Sequence, residues 1–361
     1  MGWIGIIDRL EGRFAPEGFG HDLGFRKLPR DTLHLDRGTF VLETRVSPDA
    51  RPQELFGFAH TYPSDRTFLI SAIPGGGATL VIQQGEDLTH ASVPFPTTDR
   101  TDVVRISYMW DVEHNWGKLC LERPDSDLVL QRDVENPLAF ALEDWRNTIL
   151  GHGRYMAHDI VFAALSTRIE PIGPTPSLSA ETPLLSPSGY RPISQIGRGD
   201  MLISTKNARV PVLHKISRTV PARGSFAPVH LRSPYLGLTS DIIVSPDQRL
   251  VLSGSDVEYD FGREAVLVPA RHLVDGRVGT FLNQGSLATY HQLIMPKHDI
   301  LDAVGCALES QYVGRIRRDQ ERLAASLLAG FKRDTLPEHG HRIAQELRPF
   351  EAITLIDGRA A

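Results

Sequence analysis

Residues 177–205 read Ser177-Leu-Ser-Ala-Glu-Thr182-Pro-Leu-Leu-Ser-Pro-Ser-Gly189-Tyr-Arg-Pro192-Ile193-Ser-Gln-Ile-Gly-Arg-Gly199-Asp200-Met-Leu-Ile-Ser-Thr205. Short apolar runs alternate here with turn residues, and Gly199-Asp200 suits a turn that needs positive φ. Immediately before lies Pro171-Ile-Gly-Pro-Thr-Pro176. Repeated prolines fix φ and push their preceding residues to extended conformations, so 171–176 is expected to be a stiff linker. A new domain therefore starts at Ser177.

Three further blocks follow in order. The first is Val244-Ser-Pro-Asp-Gln248-Arg-Leu250. The second is Ala265-Val-Leu-Val-Pro-Ala-Arg-His-Leu-Val-Asp-Gly276. The third is Thr289-Tyr-His-Gln-Leu-Ile294, trailed by His298, Asp299, Gly305, Glu309 and Ser310. Together with Thr182, Gly189, Pro192, Ile193, Gly199, Asp200 and Thr205, these blocks resemble the Hint domain, the self-processing module of hedgehog proteins and inteins, in its bacterial form. The resemblance covers roughly the second half of the chain.

That resemblance implies an acyl shift: the first residue attacks the carbonyl before it, here across Pro176–Ser177. Family members typically begin with cysteine, whose pKa near ~8.5 leaves some thiolate at neutral pH. Ser177 stands in that place, and a serine hydroxyl needs an adjacent general base. Gln248 occupies the position where the family has a histidine that protonates the departing nitrogen. A general acid of this kind is worth ~10²–10⁴-fold, and an amide cannot deliver a proton. His298 resembles the late histidine that assists the second step, and no terminal His-Asn pair followed by Cys, Ser or Thr provides a splicing half. A plainer reading stays open for each residue. Ser177 could satisfy a nearby backbone group, His291 and His298 could be ordinary buried histidines, and Thr182 could cap a turn.

The 361 residues suit two domains and a tail, and 31 Gly with 25 Pro favour a turn-rich β architecture. Residues 1–36 read as an irregular arm. Between 37 and 170, short alternating runs recur, among them 39–46, 54–59, 67–73, 78–83, 103–111, 118–122 and 159–165. Their order resembles a concanavalin-like or laminin-G-like jelly roll. The predicted fold is thus mainly β: an N-terminal β-sandwich, the linker 171–176, an all-β Hint-like domain over 177–313, and a tail over 314–361. In that tail Ile316–Phe331 reads as an amphipathic helix, and 347–352 resembles the closing strand that follows this type of Hint domain.

Composition narrows the partners. A net charge of −5 gives no field toward nucleic acid. No apolar run reaches the ~20 residues that a membrane-spanning helix needs. The opening Met1-Gly-Trp-Ile-Gly-Ile6 fits neither a secretory leader nor a myristoylation signal. Synthesis in a bacterial cytoplasm follows, with export by a signal-less route or release within a phage-derived particle. Cys120 and Cys306 have no framework spacing and read as small buried hydrophobes. The pair His339/His341 lacks a third metal ligand, and no cofactor is required. Asp111, Glu113, His114 and Asn115 could hold calcium or a surface glycan at the sandwich rim, and Gly76, in a mobile glycine loop, is a further binding candidate; a solvated turn is the plainer account.

Three readings remain in contention, of which a conventional hydrolase within the sandwich has no paired-carboxylate pattern behind it. One is a non-catalytic adhesion or structural protein, with a recognition sandwich on an inert Hint scaffold that assembles through 316–331. The alternative is slow autoproteolysis at Pro176–Ser177 by N-to-O acyl shift.

Overall fold

The computed structural model describes residues 2–20, 33–46, 52–61, 64–96, 101–126, 128–205, 208–283 and 285–360. The chain divides into two compact units, Met1–Ile172 and Gly173–Ala361.

The first unit is a sandwich of two antiparallel sheets. One has seven strands in the order Val129–Val134, Trp116–Glu122, Asp102–Asp111, Arg37–Val46, Ile160–Ser166, Trp3–Asp8, Gly12–Phe14. The other has five, in the order Arg154–Met156, Gln53–His60, Arg66–Ala72, Gly77–Gln84, Asp87–Pro94. Successive side chains of a strand point to opposite faces, so every second residue enters the core. Phe40 and Leu42, Phe68 and Ile70, Leu80 and Ile82, and Val104, Ile106, Tyr108 and Trp110 are buried at that period. Helix Leu142–Leu150 adds Trp145, whose ring centroid lies 5.0 Å from Phe40, 4.9 Å from Phe68 and 5.5 Å from both Phe58 and Phe140.

Two expectations for this unit need correction. Residues 1–36 are not simply an arm: Trp3–Asp8 pairs antiparallel with Ile160–Ser166, and Ile4 and Ile7 lie in the core. A single six-residue strand gives too short a signal, and only its distant partner reveals it. Residues 21–32 of the expected arm lie outside the described residues. Helix Leu142–Leu150 was also not expected; it ends at Gly151, whose φ of 103° closes the last turn. A practical consequence follows. A fragment cut at residue 37 loses the Trp3–Asp8 pairing, so residues 1–172 are expected to show a sharp thermal transition in circular dichroism and residues 37–170 a broadened or absent one. Equal transitions would contradict a structural role for the first strand.

The second unit is also built of antiparallel β elements. A six-stranded sheet has the order His214–Pro221, Leu287–Ile294, Leu178–Ser179, Ile242–Val244, Val229–Leu231, Gly279–Phe281. A five-stranded sheet runs Ile300–Ala303, Cys306–Glu309, Arg249–Ser253, Ala265–Pro269, Gln345–Glu346, its last pair parallel. Leu178, Val244, Leu250, Val268, Leu293 and Leu308 belong to the shared core.

The tail departs from expectation. Residues 316–331 do not form one helix: a 3-10 turn at Ile316–Arg318 is followed by a single helical stretch, Gln320–Ala325, capped by Asp319. The apolar period is nevertheless used. Ile316 and Leu328 join Ile216, Ile294, Val313 and Leu336 in a small core, with Leu323, Leu327 and Phe331 packed against it. The apolar face proposed for assembly is therefore engaged within the unit. Nor do 347–352 form a strand. Strand Gln345–Glu346 precedes helix Pro349–Ala360, which Pro349 can open because a first-turn residue has no intrahelical N–H bond to lose. Ala352, Leu355 and Ile356 bury one face of that helix in the main core.

Candidate functional site

Strand register assembles the site. Leu178 pairs with His291 and Ser179 with Tyr290, so Ser177 comes level with Gln292. Alternation along Leu287–Ile294 turns Tyr290 and Gln292 inward, at 1% and 2% exposure. On the other side, Ser245 N–H donates to the Ser177 carbonyl at 2.7 Å, and Gln248 N–H closes the 245–248 turn on Ser245 O at 3.1 Å. This places Gln248 against Ser177.

The three buried side chains form a closed hydrogen-bond set. Ser177 Oγ donates to Gln248 Oε1 at 2.5 Å, and Gln292 Nε2 donates to Ser177 Oγ and to Gln248 Oε1, each at 3.0 Å. Both amides are oriented by the backbone. Gln248 Nε2 donates to the carbonyls of Arg249 and Glu309 at 2.7 and 3.3 Å, which leaves its oxygen facing the serine. Gln292 Oε1 accepts Leu293 N–H at 2.9 Å, which leaves its nitrogen facing the serine. The serine proton thus rests on an amide oxygen, which is no useful base. Among the described residues, no ionisable side chain hydrogen-bonds Ser177.

His298 stands apart from this set. Its Nδ1 accepts Ile343 N–H at 3.2 Å, so its proton is on Nε2, which lies 3.2 Å from Glu309 Oε2. Among the described residues, no hydrogen bond joins His298 to Ser177 or Gln248. The link runs through Glu309, whose carbonyl takes amide protons from Gln248 and Gln292 while its carboxylate also faces Arg249 at 3.0 Å and Arg342 at 3.7 Å. Arg249 in turn pairs with Glu346 at 2.5 Å, tying the site to the C-terminal strand.

Burial pushes the Glu309 carboxyl up, but His298, Arg249 and Arg342 outweigh it and hold the pKa below the ordinary value. A carboxylate with a depressed folded-state pKa stabilises above its unfolded pKa, near ~4.3 for Glu, and that stability is lost as pH falls through the lower, folded value. Stability is therefore expected to decline below about pH 4.3, and Glu309→Gln should flatten that decline while lowering stability at pH 7. Parallel acid-limb slopes in chemical denaturation of the two proteins would contradict this.

Of the sequence candidates Ser177, Gln248 and His298, the structure brings the first two into contact and adds Gln292. The signal for Gln292 was strand alternation from Tyr290, and it needed the register with Leu178 to acquire meaning.

The rim candidates of the sandwich are not one site. Asp111 Oδ1 accepts from His114 N–H and Nδ1 at 3.3 and 2.9 Å, while Oδ2 faces Arg37 at 3.5 Å. Those oxygens already have cationic or N–H partners, and Asn115, with φ 45°, serves as a turn residue between paired Asp111 and Trp116. Among the described residues, no group of three or more His, Cys, Asp or Glu is placed to hold a metal. Gly76 sits elsewhere: its carbonyl accepts Phe95 N–H at 3.4 Å, Arg123 lies 4.6 Å over the Phe95 ring, and Arg123 pairs with Asp102 at 3.0 Å. Asp102 and Asp111 are opposite ends of one strand of 10 residues. Extended chain rises ~3.3 Å per residue, so the two ends of that strand are about 30 Å apart, and the two turns lie toward different ends.

The glycine turn is also hydrogen-bonded rather than loose, with Ile73 N–H on Gly77 O and Gly76 N–H on Ile73 O, both at 3.2 Å. Gly77 has φ 136°, and a Cβ there would lie 2.5 Å from Val93 O. Gly77→Ala should cost roughly 1–3 kcal/mol, measurable as a lower denaturation midpoint.

Residues 176–315 match the family model of the Hint domain, so the second unit carries that domain. No curated protein matches the chain. Among solved structures, the CBM40 of Ruminococcus gnavus IT-sialidase bound to alpha2,6 sialyllactose is similar at 14% identity, over 36% of this chain and 76% of that one, with a TM-score of 0.25. The LG1-3 region of the laminin alpha2 chain gives 10% identity over 80% and 55%, with a TM-score of 0.25. Tailspike protein 2 of Escherichia coli O157:H7 bacteriophage CAB120 gives 11% over 37% and 17%, with a TM-score of 0.23. Likenesses of this degree say nothing of function.

Proposed function

We propose that this chain is a non-catalytic binding or structural protein, in which a sandwich recognition module precedes a Hint domain that no longer cleaves. The observation that carries this reading is the closed set of Ser177, Gln248 and Gln292, which supplies the serine with neither base nor acid. For an N-to-O acyl shift, Ser177 Oγ must lose its proton and bond the Pro176 carbonyl carbon. The carbon–nitrogen bond must then break, and the freed amine must gain a proton. Two glutamine amides accept or donate hydrogen bonds at these points but exchange no proton at neutral pH.

Purified full-length protein is expected to keep its intact mass for days at neutral pH, with or without a strong thiol. A fragment pair split at Pro176–Ser177 would overturn the inert reading and establish slow autoproteolysis in its place.

For the first unit, the proposed partner is a surface glycan, consistent with a rigid β-sandwich that carries solvent-facing turns. Adhesion, and service in an exported or particle-borne assembly, belong to the same reading. Glycan-array binding of the full chain tests it, with loss of signal expected on substitutions in the first unit alone. Signal abolished only by substitutions in the second unit would reverse the assignment.

A further inference from the structure

The segment 315–342 carries seven Lys/Arg against four Asp/Glu, within a chain of net charge −5. Part of that charge converges on a cleft of about 360 Å³ lined by Arg317, Arg318, Arg333, Asp334 and Glu338. Two short 3-10 turns bring these residues together: Ile316–Arg318 supplies the first two arginines, and Arg333–Thr335 the third.

Glu338 organises the arginines. Its Oε1 accepts from Arg317 Nε at 2.6 Å and Arg318 Nε at 2.9 Å, and its Oε2 accepts from Arg318 Nη2 at 2.6 Å. Arg317 Nη1 donates to Leu336 O at 3.2 Å, which fixes that guanidinium in place. The two arginines hold the Glu338 carboxyl down to about 2, so it is ionised throughout the ordinary pH range. Donors remain unused beyond these bonds. Among the described residues, Arg317 Nη2, Arg318 Nη1 and the whole Arg333 guanidinium have no acceptor. Arg333 is exposed and Arg318 has 60% of its side chain in solvent.

We propose that this cleft binds a ligand bearing two adjacent phosphate or sulfate groups. The planar fork of arginine matches such oxyanions bidentately, and a cleft keeps the donors on one side of the ligand. Three guanidiniums against two carboxylates leave the lining net positive. Glu338 plays two parts: it pre-orients Arg317 and Arg318, and it competes with the ligand for them. The site lies outside the Ser177 network and does not depend on whether that network cleaves.

Calorimetric titration of the full chain at low salt is the test, with inorganic pyrophosphate in one arm and a disulfated heparin disaccharide in the other. Binding is expected in at least one arm and should weaken as salt is raised, because exposed charges are screened. The arm that responds identifies the oxyanion. Arg333→Ala should weaken binding at least tenfold with an unchanged melting temperature, since that side chain supports nothing else in the fold. Glu338→Gln should strengthen it several-fold by releasing donors. Absence of binding in both arms would overturn the proposal, as would an Arg333→Ala protein that binds like the unsubstituted chain.

Discussion

Replacing Ser177 by Cys and Gln248 by His in one chain is expected to yield thiol-dependent release of the first unit, where the unsubstituted chain releases none. A cysteine supplies a nucleophile with appreciable thiolate at neutral pH, and a histidine beside it can donate a proton to the departing amine. The positions already suit this chemistry: Ser177 Oγ and Gln248 Oε1 are 2.5 Å apart and both residues are buried. In the double variant, sulfur bonds the Pro176 carbonyl carbon, the peptide carbon–nitrogen bond breaks, the amine takes the imidazolium proton, and added thiol then displaces the thioester.

Each substitution alone should give far less release, because groups acting on one bond are strongly non-additive. A missing general acid by itself corresponds to ~10²–10⁴-fold. Gln292, which donates to both partners, is left in place to hold the new side chains. Mass spectrometry after overnight thiol treatment is the readout. A double variant that stays intact would mean that the Pro176 carbonyl is not presented to position 177, so the loss of cleavage lies in the backbone and not only in two side chains.

The second large effect concerns Trp145, which is fully buried where the aromatic side chains of both sheets meet the helix. Trp145→Ala is expected to destabilise the first unit by about 3–5 kcal/mol, through lost transfer energy and the cavity left behind. Trp145→Phe should cost much less. It keeps most of the ring contacts and removes an indole N–H that is buried without a hydrogen-bond partner. Denaturant unfolding followed by far-UV circular dichroism separates the two variants. Equal losses would place the stabilisation in something other than ring packing.

Sandwich strands such as Arg37–Val46, Arg66–Ala72 and Asp102–Asp111 are legible because short apolar runs bounded by turn residues mark strands in local sequence. Trp3–Asp8 was not, since its strand identity comes from pairing with Ile160–Ser166 more than 150 positions away. The 316–331 stretch misled differently. Its apolar spacing was real, yet it serves a local core built around turns, and a hydrophobic period does not say whether one helix or several short pieces will satisfy it.

Residue order alone carries the Hint resemblance of the second half, the alternating strands of the first, and the chemical types at positions 177 and 248. These are properties of residue identity and short spacing, and both survive reading in one dimension. It takes the folded chain to show that Gln292 completes the serine site and that His298 reaches it through Glu309. The fold also decides that the Asp111 turn closes one end of its strand, while the Gly76 turn joins two strands of the other sheet and meets the Asp102 end through Phe95 and Arg123. Each of those outcomes depends on register between segments far apart in the chain. A shift of one residue in that pairing would turn every side chain to the other face.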